Sequence, residues 1–363
     1  MSFSVVEIYN QLHKMPETGF ELSKTSRFIS DTLTELGYEV IDNVGQCGLV
    51  GILDSGVPGP VLGFRADMDA LAYEIDGKTV NRHTCGHDAN CAIALGAACI
   101  IKERGISKGK MMFIFQPAEE KGTGAMAMIQ SGRLPAMTEL FGMHLRDYTE
   151  LSLGEALPGL NHSGACMMRV VIHGVSSHGA RPHLGVSAVD AAMLAGMAVN
   201  AVRVDPTVAH SAKVTGIRSH GTAFNIIPDT VDMNIDLRGQ TNEVLDTLIE
   251  RVKTAIEGAV GSIGATAEID ILGHIYAANL DQPMVEEAAA AIESVLGVCQ
   301  PPAVTPGSDD FHFFKRHLDI QNTFIGLGAD LKPGLHHPEM TFDLKALEIG
   351  RDIVVAFIQR RLG

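Results

Sequence analysis

The chain has no uninterrupted apolar run approaching the roughly 18 residues that mark a bilayer-spanning helix, so membrane spanning is not expected. Its first residues, MSFSVVEIYNQLHKMPETGFELSKTSRF, lack the charged leader and apolar core of a secretory signal. A cytoplasmic location is the expectation. Cysteine is sparse and scattered: Cys47, Cys85, Cys91, Cys99, Cys166 and Cys299 show no framework spacing. In a reducing compartment that argues against disulfides, and most of the six read as small buried residues. Positive charge is in deficit, with 28 Lys and Arg against 43 Asp and Glu and a formal net charge of −15. Nucleic acid and anionic membranes are therefore disfavoured as partners. An anionic small substrate is not, because local basic groups can override the global sign. Repeats, low-complexity tracts and Gly/Ser linkers are absent too.

What is present suits a soluble globular protein: 46% hydrophobic and 20% charged residues. At 363 residues the chain exceeds what one core usually supports, which points to two domains. VLGFRAD (61–67), MMFIFQP (111–117) and ELFGMHL (139–145) read as buried strands whose far ends deliver Asp67, Glu119 just beyond, and His144. NCAIALGAACIIKERG between them reads as a helix whose small residues suit close packing on a sheet. This alternation predicts an α/β domain with a largely parallel central sheet, and ligands in such domains gather at the carboxyl ends of strands.

From about residue 165 the texture changes. CMMRVVIHG, AHSAKVTGIRSHG, TVDMNIDLRG and AEIDIL read as strands, with helices at SAVDAAMLAGMAVNAV and EVLDTLIERVKTAIEGAV. In the third strand Val231, Met233, Ile235 and Leu237 alternate with Asp232, Asn234, Asp236 and Arg238. The second helix carries Leu245, Leu248, Ile249, Val252 and Ile256 at helical spacing. The order β-α-β-β-α-β is that of a ferredoxin-like α+β unit. The expected organisation is a first domain over 1–164, an insert over 165–276, and a return to the first domain over 277–363, starting with the helix QPMVEEAAAAIESVLG.

The stretch RHTCGHDAN (82–90) sets Cys85 two residues before His87. Thiolate, imidazole and carboxylate together suit Zn²⁺ or another late divalent ion, whereas carboxylates alone would suit Mg²⁺ or Ca²⁺. By itself Cys-x-His is weak evidence, and an inert buried cysteine beside a structural histidine reads equally well. FQPAEEKGTGA (115–125) shifts the balance: Glu119 and Glu120 follow an apolar strand and read as opening a helix. Acidic charge at a helix N-terminus is the plain explanation. The chemical one gives one carboxylate to a metal and the other to a proton from water, whose pKa a metal lowers. GLHHPEMTF (334–342) adds His336 on a Gly/Pro-rich loop where one of the two adjacent histidines points inward, and TPGSDDFHFF (305–314) is a polar loop that would line the same cleft. His13, His210, His220, His274 and His317 lie outside these clusters and read as surface or locally bonded; His83, His162, His183 and His312 read as supporting groups. Arg65 reads equally as a carboxylate anchor and as half of a structural salt bridge.

RADMDAL, HTCGHDAN, QPAEEKGTGA, GMHL, SSHGARPH, NIIPD, GSDDF and LHHPEM occur in that order, and as a set they resemble the M20 metallopeptidase family, specifically its aminoacylase/amidohydrolase branch. The resemblance spans nearly the whole chain. It implies a dimetal-peptidase-like α/β catalytic domain interrupted by a ferredoxin-like lid, homodimers formed through the lid, and two divalent ions per subunit drawn from Zn²⁺, Mn²⁺, Co²⁺ or Ni²⁺. It assigns Cys85 as a bridging ligand, with His87, Glu120, His144 and His336 as the other ligands. Glu119 becomes the general base and Asp67 the carboxylate that orients the site. His178 becomes the lid histidine that reaches the substrate carbonyl across the dimer, and Asn225 and Arg238 contact the substrate. The implied reaction is hydrolysis of the amide of an N-acyl amino acid by metal-bound hydroxide; a dipeptidase or carboxypeptidase with the same site is the alternative. A scaffold that kept its metal but lost its chemistry would need Glu119 or His178 replaced, and a redox role for Cys85 would need a better-placed partner than Cys91. Two departures stand out: Ala72 replaces the usual proline, and AYEIDGKTVNR is short where relatives often carry a longer loop at the cleft.

Overall fold

The computed structural model describes residues 4–221 and 223–363. It divides into two compact units, Met1–Asn161 with Asn279–Ala303 and Asp309–Gly363, and His162–Ala278 with Val304–Ser308. The short piece Val304–Ser308 belongs to the second unit because the Ser163 hydroxyl donates to the Thr305 carbonyl (3.0 Å) and the Ser308 hydroxyl to that of Ser163 (2.8 Å). Sequence pattern alone assigns it to the first domain.

In the first unit a seven-stranded sheet runs in the spatial order Glu39–Val44, Gly48–Asp54, Lys110–Gln116, Val61–Asp67, Glu139–Asp147, Gln321–Leu331, Ala156–Leu157. The four strands from Lys110–Gln116 to Gln321–Leu331 are mutually parallel, and the flanking pairs are antiparallel. Their inward residues are almost wholly buried, including Phe64, Phe113, Phe115, Phe141 and Phe324. Strands covered on both faces read as continuous apolar runs, as these do. Helix His87–Arg104 packs on strand Val61–Asp67 and against helices Val5–Leu12 and Lys345–Leu362. It is buried nearly all round, which its Ala and Gly content permits.

A two-stranded hairpin, Leu71–Ile75 with Lys78–Arg82, occupies the segment that reads from sequence only as a shortened loop. Its turn is Asp76-Gly77, both at positive φ (51° and 72°), the pairing a tight hairpin favours because its twist matches the strands.

The second unit is a four-stranded antiparallel sheet in the order His210–Ser219, Thr230–Gly239, Gly164–His173, Thr266–Ile275. Helices Ala188–Ala201 and Asn242–Gly261 cover one face. This is the ferredoxin-like order. Val231, Met233, Ile235 and Leu237 are buried with Leu245, Leu248, Ile249, Val252 and Ile256 in a single apolar core.

Candidate metal centre

At the carboxyl end of the parallel strands, the backbone gathers chemistry from five segments of the first unit. Asp67 ends its strand opposite Gln116. Glu119 and Glu120 follow that neighbouring strand in a turn, not in a helix; the helix begins only at Gly124. Charge at a helix N-terminus therefore does not explain them. His144 lies within strand Glu139–Asp147, not at its end, because pairing with Gln321–Leu331 continues beyond it. Gly86, at φ 87°, turns the chain between Cys85 and His87, so that the thiol and the first residue of the long helix face one place. His336 comes from a distant loop.

Two clusters of donor atoms hold Glu119, one with His87 and Glu120 and one with Asp309 and Asp310, and two further triplets share one sulfur. Cys85, His87 and His144 form one, and Cys85, Glu120 and His336 the other, the atoms of each lying within 4.8 Å of one another. Cys85 Sγ is 3.5 Å from His144 Nε2 and 3.3 Å from His336 Nε2. His336 Nε2 is 3.5 Å from Glu120 Oε1, and His87 Nε2 is 3.8 Å and 3.9 Å from the Glu119 and Glu120 carboxylates. His337 joins neither triplet.

Two imidazoles are fixed by the backbone. His87 Nδ1 lies 2.9 Å from the Asp69 carbonyl and His144 Nδ1 2.7 Å from that of Leu145. A carbonyl only accepts, so each ring carries a proton on Nδ1 and turns its Nε2 inward. His87 Nε2 and Glu120 Oε1 are buried with no hydrogen-bond partner. Buried polar atoms are seldom left so, and a cation between the triplets would satisfy both. Burial pushes the Cys85 thiol well above its usual range, with Glu120 adding to the shift and His87 opposing it. Burial also holds His144 down, to about 4, so it is neutral and ready to ligate. For His87 burial acts downward, but the charge of Asp67 prevails and raises it.

Glu119 is pushed well above the ordinary carboxylate range, by burial first and then by Asp309 and Asp310. The residue before it, Ala118, sits at φ 51°; such strain in a non-glycine costs about 1–3 kcal/mol and gathers at functional sites.

Several partners escape a reading of the sequence. Asp69 receives the amides of both Glu119 and Glu120 (3.1 and 3.3 Å), fixing the turn that carries them. Asn90 Nδ2 donates to Asp67 at 2.8 Å, and the Cys91 thiol donates to the Asp67 carbonyl at 3.0 Å. Asp69 and Asn90 stand inside the RADMDAL and HTCGHDAN motifs, so those motifs are the signal that could have found them. Arg65 is 1% exposed and bonded to Asp67 (2.6 Å), Asp309 (2.9 Å) and Asp310 (2.8 Å). It is the structural salt bridge, not a carboxylate anchor. His13 is bonded locally to the Tyr9 hydroxyl (3.3 Å), as expected, and its Nδ1 also lies 2.6 Å from buried Asp88.

His178, Asn225 and Arg238 lie in the second unit and are described within it. His178 pairs with Ile226 in a two-stranded ribbon, and the Gly179 amide donates to the Asn225 carbonyl at 2.8 Å. His178 and Asn225 are both exposed. His178 Nδ1 accepts from the Ala180 amide (3.0 Å), leaving the proton on Nε2. Arg238 donates to Asp236 and to Ser308.

Residues 63–360 match peptidase family M20/M25/M40. The chain belongs to that family. It is accordingly a hydrolase of amide bonds, and its resemblance to the aminoacylase/amidohydrolase branch holds. It is 30% identical to the indole-3-acetyl-aspartic acid hydrolase of Enterobacter agglomerans, over 84% of this chain and 74% of that one. It is 27% identical to thermostable carboxypeptidase 2 of Saccharolobus solfataricus, over 95% and 92%. A crystal structure of a dinuclear metal binding peptidase from the M20 family, from Bacillus subtilis, superposes with a TM-score of 0.83 at 25% identity, covering 97% of this chain and 96% of that one.

Proposed function

We propose that this M20 hydrolase cuts the amide bond of N-acyl amino acids at a two-metal centre. The carrying observation is the pair of donor triplets sharing Cys85, with His87 Nε2 and Glu120 Oε1 buried and unpartnered between them. Cys85, His87, Glu120, His144 and His336 would hold two divalent ions, with Zn²⁺, Mn²⁺, Co²⁺ and Ni²⁺ all suited to a thiolate–imidazole–carboxylate set. When bound, such ions supply positive charge beside the reacting carbonyl and bring the pKa of water towards neutrality.

The chain's own groups do the rest. Glu119, held by Asp69 at its amide, takes the proton of the attacking water as oxygen bonds to the acyl carbon. As the carbon–nitrogen bond breaks, Glu119 returns that proton to the departing amine. Asp67, pinned by Arg65 and Asn90, orients His87. The second unit acts as the lid: His178 offers its Nε2 proton to the carbonyl oxygen as negative charge develops there, and Asn225 and Arg238 contact the substrate.

We further propose a homodimer formed through the lid, so that His178 serves the partner's substrate. Strand His210–Ser219 is a sheet edge, and Ile217 on it, with Met193 and Met197 on the adjoining helix, is more than half exposed. Unpaired edges with apolar neighbours favour strand addition. No disulfide joins any of the six cysteines and no described helix is long and apolar enough to cross a membrane; we place the enzyme in the cytoplasm.

The test is amine release from N-acetyl, N-benzoyl and longer N-acyl amino acids beside dipeptides, with each of the four metals and with chelator. Chelator-sensitive release from the N-acyl amino acids is expected. Release from peptides alone would replace the reading with a carboxypeptidase or dipeptidase, which the Saccharolobus relative favours.

A further inference from the structure

The ligand candidates are not equally secured. His336 has a side chain 56% exposed, against 11% for Glu120 and 1% for His87. Its backbone sits at φ 64°, in the left-handed region that is uncommon outside glycine. A loop residue so placed needs something outside the loop to hold it.

The hairpin Leu71–Arg82 supplies that hold. The His336 amide donates to the Thr84 carbonyl at 2.7 Å. Tyr73 Oη lies 2.8 Å from the His336 carbonyl and 2.6 Å from Thr84 Oγ1. The carbonyl can only accept, so the single phenolic proton goes to it, and the Thr84 hydroxyl donates to Tyr73. Both backbone groups of His336 are thereby tied, one directly to Thr84 and one through Tyr73. On the hairpin's other strand Arg82 donates to the Pro338 carbonyl at 2.7 Å. The next residue after Thr84 is Cys85, so the clasp joins the segment carrying the shared sulfur to the loop carrying the outermost imidazole.

Resting on the two-metal reading above, we propose that Tyr73 is a positioning residue. Its hydroxyl holds the strained His336 backbone so that Nε2 meets Cys85 and Glu120, and it thereby sets the affinity for one of the two ions. Tyr73 follows Ala72, the position where this chain departs from its resemblance, and the hairpin replaces the loop expected there.

The experiment equilibrates the Mn²⁺-loaded full chain against a series of chelator-buffered Mn²⁺ concentrations and counts bound ions. Wild type should lose its ions in two steps. Tyr73→Phe should shift one step by about 10- to 100-fold, the usual effect of losing a partner that orients a ligand, and leave the other in place. The melting temperature of the metal-free form should not change. Glu74→Ala breaks the Thr79–Glu74 bond of the same hairpin without touching the clasp, and should leave both steps unmoved. Two wild-type steps in Tyr73→Phe would overturn the assignment. So would an equal shift in Glu74→Ala, or a fall in metal-free melting temperature that accounts for the loss. Fewer than two ions bound by wild type would instead overturn the two-metal reading, whatever the variants do.

Discussion

The two units of this chain differ in how many polar groups they bury. Beneath its centre the first unit encloses Arg65, Asp67, Asp69, His87, Asn90, Gln116, His144, Asp309 and Asp310, all at 6% exposure or less. In the second unit the buried polar side chains are His162, Ser163 and Thr305; among the described residues none between Gly164 and Ala278 is both buried and polar, and that core is Val, Ile, Leu, Met, Ala and a cysteine. The second unit instead exposes its candidate groups, His178 and Asn225, on a ribbon outside its sheet. Burying polar groups costs free energy unless each is paired. The first unit bears that cost where charge must be held in fixed geometry. The second devotes its core to apolar packing and offers donors at its surface. Changes in the first unit should therefore move metal, chemistry and stability together or selectively, while changes to the second unit's ribbon should move kinetics alone.

The largest effect separates chemistry from metal within the first unit. Glu119→Gln keeps a neutral isostere on the Asp69-held turn but cannot take a proton. Turnover should fall by about 10²- to 10⁴-fold, the range for a lost general base, with metal content unchanged by elemental analysis. Near-normal turnover would remove Glu119 from the chemistry and leave the comparison resting on structure alone.

Next comes the stability of the buried charges. Arg65 is the cation bonded to Asp67, Asp309 and Asp310. Replacing it with Met keeps the stem and strands three carboxylates, and removing one partner of a buried pair costs about 3–5 kcal/mol. Urea unfolding should show that loss near neutral pH. The deficit should shrink on mild acidification, because burial and Asp309 hold Asp310 up at about 7 against the pull of Arg65, so it accepts a proton readily once the arginine is gone. A wild-type midpoint for Arg65→Met would mean that these charges do not carry the first unit's stability.

The same contrast explains which features are legible in the amino-acid sequence. Alternation at Val231, Met233, Ile235 and Leu237 marks a sheet with one apolar face, and such a face is local in sequence. So are the apolar runs that form the parallel strands. The donor set is legible only because its motifs occur in order; no spacing rule connects His336 to Cys85, which lie 251 residues apart. Arg65 stays ambiguous in sequence, since two of its three carboxylate partners stand 244 and 245 residues away and a buried network leaves no local periodicity. Glu119 and Glu120 look helical because polar residues after a strand often open a helix; the carboxylate of Asp69 holds them in a turn instead. Asp76-Gly77 is a plain hairpin signal, masked because the segment draws notice first for its shortness.

On the second unit, His178→Ala should lower turnover by about 10²- to 10³-fold, the scale for one lost donor to a developing oxyanion. Metal content and urea midpoint should stay at wild-type values, because the side chain is exposed and, among the described residues, bonded to the amide of Ala180. Unchanged kinetics would reject the lid role. A changed metal content would break the division of labour between the units.

The smallest effect sharpens the comparison from the metal's side. In the metal-free protein burial pushes the Cys85 thiol well above its usual range, and His87 is raised too, its downward pull from burial overcome by Asp67. Both must ionise to a ligand form when a cation binds, so binding releases protons and strengthens as pH rises. Between about pH 6 and 8 the logarithm of affinity should climb by between about one and two per pH unit, and calorimetry in buffers of different ionisation heat should count the same protons. Cys85→Ser should lower that slope by about one. A slope of zero in wild type would mean that the thiol and imidazole already stand ionised, and that the first unit meets the cost of its buried charge before any cation arrives.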